Sequence, residues 1–189
     1  MTQRLARITP DAMSPEQAEV YAKFTGGKRA APGSAFSLLH PDGGLIGPPN
    51  AWLLSPPLAR AFERVGWAMR YELSLSDRAR EIAILLQAFH LDSPFELYAH
   101  RMAGRAAGLS DAEIEGLATR TEPDFHDAGE RSVFATTLAI LDRGTLDDAE
   151  YAAAAETLGD RTLFDLVALL SYYAMVATQL SVFGVTPPP

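Results

Sequence analysis

Glu81 and His100 are the two side chains whose type and spacing could move a proton. On a helix from Asp77 to Leu91, the residues Ile82, Leu85, Leu86 and Phe89 form an apolar stripe. Glu81 lies one turn before Leu85 and two before Ala88, at the edge of that stripe rather than opposite it. A carboxylate there is partly buried, so it must protonate, pair or accept hydrogen bonds, and its pKa rises unless an arginine compensates. On the following helix His100 stands one turn after Glu96, with Leu97, Gly104 and Ala107 on its side. Those residues, with Ala99, Ala103 and Ala106, let a neighbouring helix come close, which turns His100 toward protein. Two adjacent antiparallel helices would carry both groups inward. A carboxylate and an imidazole in a desolvated pocket are a competent proton-transfer pair near neutral pH.

Spacing alone leaves a second reading for each residue. Glu81 could pair with Arg78 or Arg80 at a surface edge, and His100 could be a hydrogen-bonded core histidine. Ser93 followed three residues later by Glu96 is complete as a capping box. His40, His90 and His126 fall in or near loops and read as exposed. No two histidines have the spacing of a helical metal motif, so no metal site is expected.

The elements that must position these groups are punctuated clearly. Ser14-Pro15, Ser55-Pro56 and Ser93-Pro94 each put a capping hydroxyl before a proline whose missing N–H costs nothing at the first helical position. Gln17 and Glu96 complete boxes at two of them, Ser110 with Glu113 repeats the pattern, and Thr145 with Asp148 approximates it. Gly108, Gly144 and Gly159 sit where helices should end. The signals predict helices over 15–24, 56–71, 77–91, 94–107, 111–119, 129–143, 146–158 and 161–183, with no period-two segment long enough for a sheet. The fold class is therefore all-α. A Gly/Pro-rich connection over 25–52 reads as functional cover or a loosely ordered loop, and Thr186 to Pro189 as a short tail. A faint echo links Phe95-Glu96-Leu97-Tyr98-Ala99 to Phe164-Asp165-Leu166-Val167-Ala168; it sets His100 opposite Leu169, so the scaffold itself does not demand a polar group there.

Composition removes whole classes of function. A chain of 189 residues, 48% hydrophobic and 21% charged, suits one globular domain. With no cysteine it can have no disulfide, zinc ribbon, iron–sulfur cluster, thiolate nucleophile or dithiol centre. The net charge of −8, with lysine only at Lys23 and Lys28, argues against gripping nucleic-acid backbones. Met1 to Pro15 lacks the apolar run of a secretory signal, which makes the cytoplasm the expected location. Leu166 to Phe183 is uncharged but contains Ser171, Gln179 and Ser181, and is expected to be buried in protein rather than in a membrane.

Several motifs together resemble one family. Leu45-Ile46-Gly47-Pro48-Pro49-Asn50, Leu53-Leu54-Ser55-Pro56, Arg78-Ala79-Arg80-Glu81-Ile82, Glu96-Leu97-Tyr98-Ala99-His100 and Ala107-Gly108-Leu109-Ser110 are similar to the carboxymuconolactone decarboxylase family, whose superfamily includes the AhpD-type alkylhydroperoxidases. The resemblance covers about residues 45–120 well and the helices over 129–183 more loosely. It implies an AhpD-like helical bundle, one domain over 1–189, no cofactor, and assembly into homotrimers or hexamers without nucleic-acid or membrane partners.

In the peroxidase branch a glutamate, a C-x-x-C pair and a histidine form a relay around a redox dithiol. Aligned on Glu81 and His100, those cysteines fall on Ser93 and Glu96, which cannot cycle through a disulfide, so thiol peroxidase chemistry is excluded. The decarboxylase branch is the better match, although Leu97 replaces its frequent tryptophan. The resemblance implies a cofactor-independent carboxy-lyase acting on a small carboxylated lactone. His100 would be the proton donor, Glu81 its orienting group, and Glu96 a supporting or alternate acid. Arg78, Arg80 or Arg101 would hold a spectator carboxylate, Ser93 would face the substrate, and the stretch ending at Gly47-Pro48 would be a lid. A catalytically silent small-molecule-binding protein of the same fold, and an isomerase or hydrolase using the same pair, are the alternatives.

Overall fold

Backbone angles at the serines decide which helix starts are capped. The computed structural model describes residues 4–26 and 37–188. The chain is all-α, 70% helical, and among the described residues it has eight α-helices and no strand. They are α1 (Pro15–Thr25), α2 (Pro48–Trp52), α3 (Pro56–Tyr71), α4 (Asp77–His90), α5 (Pro94–Ala106), α6 (Asp111–Thr119), α7 (Ala128–Arg143) and α8 (Asp148–Phe183). Ser14, Ser76 and Ser110 have ψ of 161°, 159° and 161°, and each hydroxyl accepts from the N–H three residues on. Ser55 and Ser93 have ψ of 82° and 94°, which turns the hydroxyl away, and neither caps its helix. The capping box expected at Ser93 and Glu96 therefore does not form. The box expected at Thr145 is built two residues later: the Asp147 carboxylate accepts from Glu150 N at 2.8 Å and Glu150 accepts from Asp147 N at 2.9 Å, so α8 starts at Asp148.

Where chain length suggests a single core, contacts divide the chain into two compact units, one running to Glu72 and resuming at Thr178, the other Leu73–Ala177. In the first unit α3 packs against α1 and α2. The helix α2 lies inside the expected 25–52 loop. It is started by Pro48 and Pro49 after Gly47, whose φ of 71° a side chain would disfavour. Asn50 pins α2 by accepting from Ile8 N at 2.9 Å and donating to Ala6 O at 3.2 Å, and the Trp52 ring packs between Phe24 and Phe62. Residues 27–36 of that loop lie outside the described residues.

In the second unit α4 is the central helix, packed against α5, α6 and α7. Its residues from Glu81 to Ala88 are all buried, so burial runs around the helix instead of along one stripe. Gly159 (φ 77°, ψ 156°) breaks α8 between the two helices read from the sequence. Beyond it Leu163, Leu166, Leu169, Leu170 and Tyr173 point inward at helical spacing. The Asp165 carboxylate ties the α3–α4 connection to α8 by accepting from Ser74 N at 2.8 Å and Ser74 Oγ at 2.7 Å. The sequence echo does not extend to burial: Phe95 is buried and Phe164 is exposed. By length and composition alone, α8 is long and apolar enough to cross a membrane.

Candidate functional site

A glycine sets the distance between the two helices that carry the dyad. A Cβ on Gly104 of α5 would lie 3.3 Å from Leu85 Cδ1, 3.1 Å from Leu109 Cδ1 and 3.9 Å from Glu81 Cβ, so α4 and α5 approach closely beside Glu81 because residue 104 has no side chain. Across this contact His100 Nδ1 and Glu81 Oε2 are 2.7 Å apart, with Glu81 3% and His100 5% exposed. Glu81 is thus interior, deeper than the stripe-edge position its spacing suggests, because α4 is covered on every side.

The pairing of Glu81 with Arg80 forms as well, in the interior instead of at a surface edge. The other Glu81 oxygen, Oε1, is 3.4 Å from Arg80 Nε, and Arg80 also donates to Asp77 at 2.8 Å. An arginine and an imidazole N–H around a dry carboxylate favour its ionised form. With Glu81 ionised, Nδ1 of His100 carries the hydrogen, and Nε2 is the ring nitrogen left to exchange a proton. The His100 ring stands edge-on to Tyr173 of α8, centroids 5.0 Å apart at 87°. Tyr173 was not singled out from the sequence; its signal is a pair of phenols, Tyr172-Tyr173, within an otherwise apolar run.

One turn before His100 on the same face of α5 lies a second acid in a different state. Glu96 is 3% and Ser93 4% exposed, and Ser93 Oγ and both Glu96 carboxyl oxygens have no hydrogen-bond partner. Burial pushes the Glu96 carboxyl up to about 8; the neighbouring Ser93 hydroxyl opposes the rise without reaching hydrogen-bond geometry. Two glutamates on adjacent helices therefore differ in kind, one paired with an arginine and an imidazole and one desolvated without a hydrogen-bond partner.

The arginines separate by role. Arg78 is committed to structure: Nε donates to Glu130 at 2.7 Å, Nη2 to Glu113 at 2.6 Å and to Glu130 at 3.2 Å, and Nη1 to the Gly108 carbonyl. These acceptors hold its guanidinium charged and occupied, so it has little left for a substrate carboxylate, against the expectation from sequence. Arg101 is exposed, its guanidinium 5.3 Å from the Phe89 ring centroid, while the adjacent His100 is buried. Of the three, Arg80 touches the dyad. Gly47 and Pro48 belong to the first unit, at the start of α2. Among the described residues no three His, Asp or Glu side chains gather as metal ligands. Comparison of the chain with protein-family models and with curated proteins finds no match.

Proposed function

We propose that the chain is a cofactor-independent carboxy-lyase that removes CO2 from a small carboxylated lactone, using Glu81 and His100 as its proton relay. One observation carries the reading: a carboxylate and an imidazole from α4 and α5 share a 2.7 Å hydrogen bond in the interior. The resemblance of the Arg80-Glu81 and Glu96-to-His100 motifs to carboxymuconolactone decarboxylases supplies the substrate class, and the absence of cysteine removes the thiol peroxidase alternative.

In the reaction, the bond from ring carbon to carboxylate breaks and CO2 leaves. Its electron pair enters the conjugated ring, and the carbanion-like carbon takes a proton from His100 Nε2. Glu81 fixes the ring orientation and stabilises the imidazolium that must form before donation, and Arg80 keeps Glu81 ionised. A low-dielectric surrounding destabilises the departing carboxylate more than the neutral gas it becomes. The reading includes a cytoplasmic location and a homo-oligomer, the second supported by the apolar side chains of Phe164 and Val167 that α8 leaves exposed.

The test is CO2 release across a panel of carboxylated unsaturated lactones. Glu81→Gln and His100→Ala should each lower the rate by about 10²–10⁴-fold with an unchanged circular dichroism spectrum. Equal rates in wild type and His100→Ala would refute the relay. Turnover without gas release would replace the lyase by an isomerase or hydrolase built on the same pair.

A further inference from the structure

The dyad accounts for the proton but leaves the electron pair without a destination in the protein. Among the described residues four buried side-chain oxygens lack a hydrogen-bond partner, and three of them, Ser93 Oγ and both carboxyl oxygens of Glu96, lie together at the start of α5, while the fourth, Thr137 Oγ1, is in α7. A buried polar group without a partner is costly, typically by more than a hydrogen bond returns, so such groups in a folded chain point to something absent from it. Ser93 is the residue before the first turn of α5 and Glu96 is three residues on, so both sit at the positive end of that helix. The hydroxyl that would ordinarily cap the turn does not, which leaves the turn without a side-chain acceptor. His100 follows Glu96 by one turn on the same buried face.

We propose that Ser93 and Glu96 form the oxyanion site of the reaction, an alcohol and a neutral carboxylic acid that together donate hydrogen bonds to the ring carbonyl oxygen of the substrate. This rests on the carboxy-lyase reading and names the substrate more narrowly. As the bond to CO2 breaks, its electron pair moves through the conjugated ring and charge collects on the carbonyl oxygen. Ser93 and Glu96 keep their protons and share them with that oxygen. His100 then protonates carbon, the carbonyl re-forms, and solvent returns a proton to the imidazole. Donors fixed in place before the charge appears cost no reorganisation when it does, and in a dry site each is worth more than in water. A carboxylic acid held neutral so that it can donate is a known solution to this electrostatic problem. The substrate must therefore be an acid in which the carbon that loses CO2 is joined to a ring carbonyl directly or through a double bond; a lactone acid whose carboxylate is insulated from the carbonyl by saturated carbons offers no oxygen on which charge can build.

The probe is 4-nitrophenol, whose anion is a flat, conjugated oxyanion with its own visible absorption, bound to the full chain without turnover. Wild type should bind the phenolate in preference to the phenol. Glu96→Leu, which removes the donor and leaves an apolar group of similar size, should weaken phenolate binding by about 10–100-fold; Ser93→Ala should weaken it less, and Glu96→Gln, which keeps an N–H donor, should restore part of the affinity. Equal phenolate affinity in wild type and Glu96→Leu would overturn the proposal. So would preferential binding of 4-nitrobenzylammonium, which would mean that Glu96 awaits a cation. Because the readout needs no turnover, a failed lactone screen leaves it intact; CO2 release that depends on His100 but not on Glu96 would remove the oxyanion site and keep the relay.

Discussion

Replacing Glu96 by glutamine removes one titrating group and leaves a side chain of nearly the same shape. In the folded chain burial pushes this carboxyl from its usual 4.5 up to about 8. Unfolded, it ionises near the usual value. Between those two limits the folded state holds a proton that the unfolded state has released, so stability falls as pH rises, by about 1.4 kcal/mol per pH unit. From about pH 5 to about pH 7 that amounts to about 2.5 kcal/mol, and above about pH 8, once the folded group also ionises, the loss stops growing. The glutamine variant lacks this dependence. Urea unfolding of both proteins across that range isolates the Glu96 contribution, because every other titrating group is shared and cancels in the difference. Wild type and Glu96→Gln should be close near pH 5, and the variant more stable by about 2–3 kcal/mol near pH 7, equivalent to roughly 4–12 °C in melting temperature for a chain of this size. Parallel stability profiles through the whole interval would mean that Glu96 carries its charge in the folded state. Its role as a neutral hydrogen-bond donor would then fail, whatever the enzyme's activity.

Two further perturbations address the frame around the site. Arg78→Met strands the buried Glu130 carboxylate and should destabilise the chain by about 3–5 kcal/mol in urea titration, with part of the loss recovered when Glu130→Gln is added; no recovery would show that the guanidinium contributes through packing alone. Gly104→Val overfills the α4–α5 contact and should cost about 1–3 kcal/mol, separating His100 from Glu81 and shifting the imidazole resonances of His100 in NMR, whereas Gly104→Ala, whose Cβ presses only on Leu85 and Leu109, should move both readouts in the same direction by less.

Most of the helix boundaries were legible because capping is local chemistry. Ser14, Ser110, Gly144 and Gly159 each act within a few residues of where they stand, and the boundaries near them agree with the structure. Ser93 misled because residue type cannot reveal ψ, and at 94° a serine before proline has no reach to its third N–H. The proximity of Glu81 and His100 was also legible, from one apolar stripe and a run of small residues on consecutive helices. The depth of Glu81 was not: it depends on α6 and α7 covering the far side of α4, and their placement comes from contacts distant in sequence. For the same reason Arg78 read as free to bind a substrate. Its partners Glu113 and Glu130 are 35 and 52 positions away, and no local pattern connects them.

That arginine also sets how much of the chain the second unit needs. Glu113 and the Gly108 carbonyl reach Arg78 from α6 and the turn before it, whereas its bidentate carboxylate, Glu130, comes from α7, so a chain that stops short of α7 leaves the guanidinium with two of its three acceptors. Such a three-helix segment is electrostatically unfinished, and α7 completes it. Truncations ending before Asp127 should therefore be cut faster by protease than those extending past Arg143, with the change falling at the residue that closes the guanidinium's ring of acceptors, and full resistance needs α8 as well.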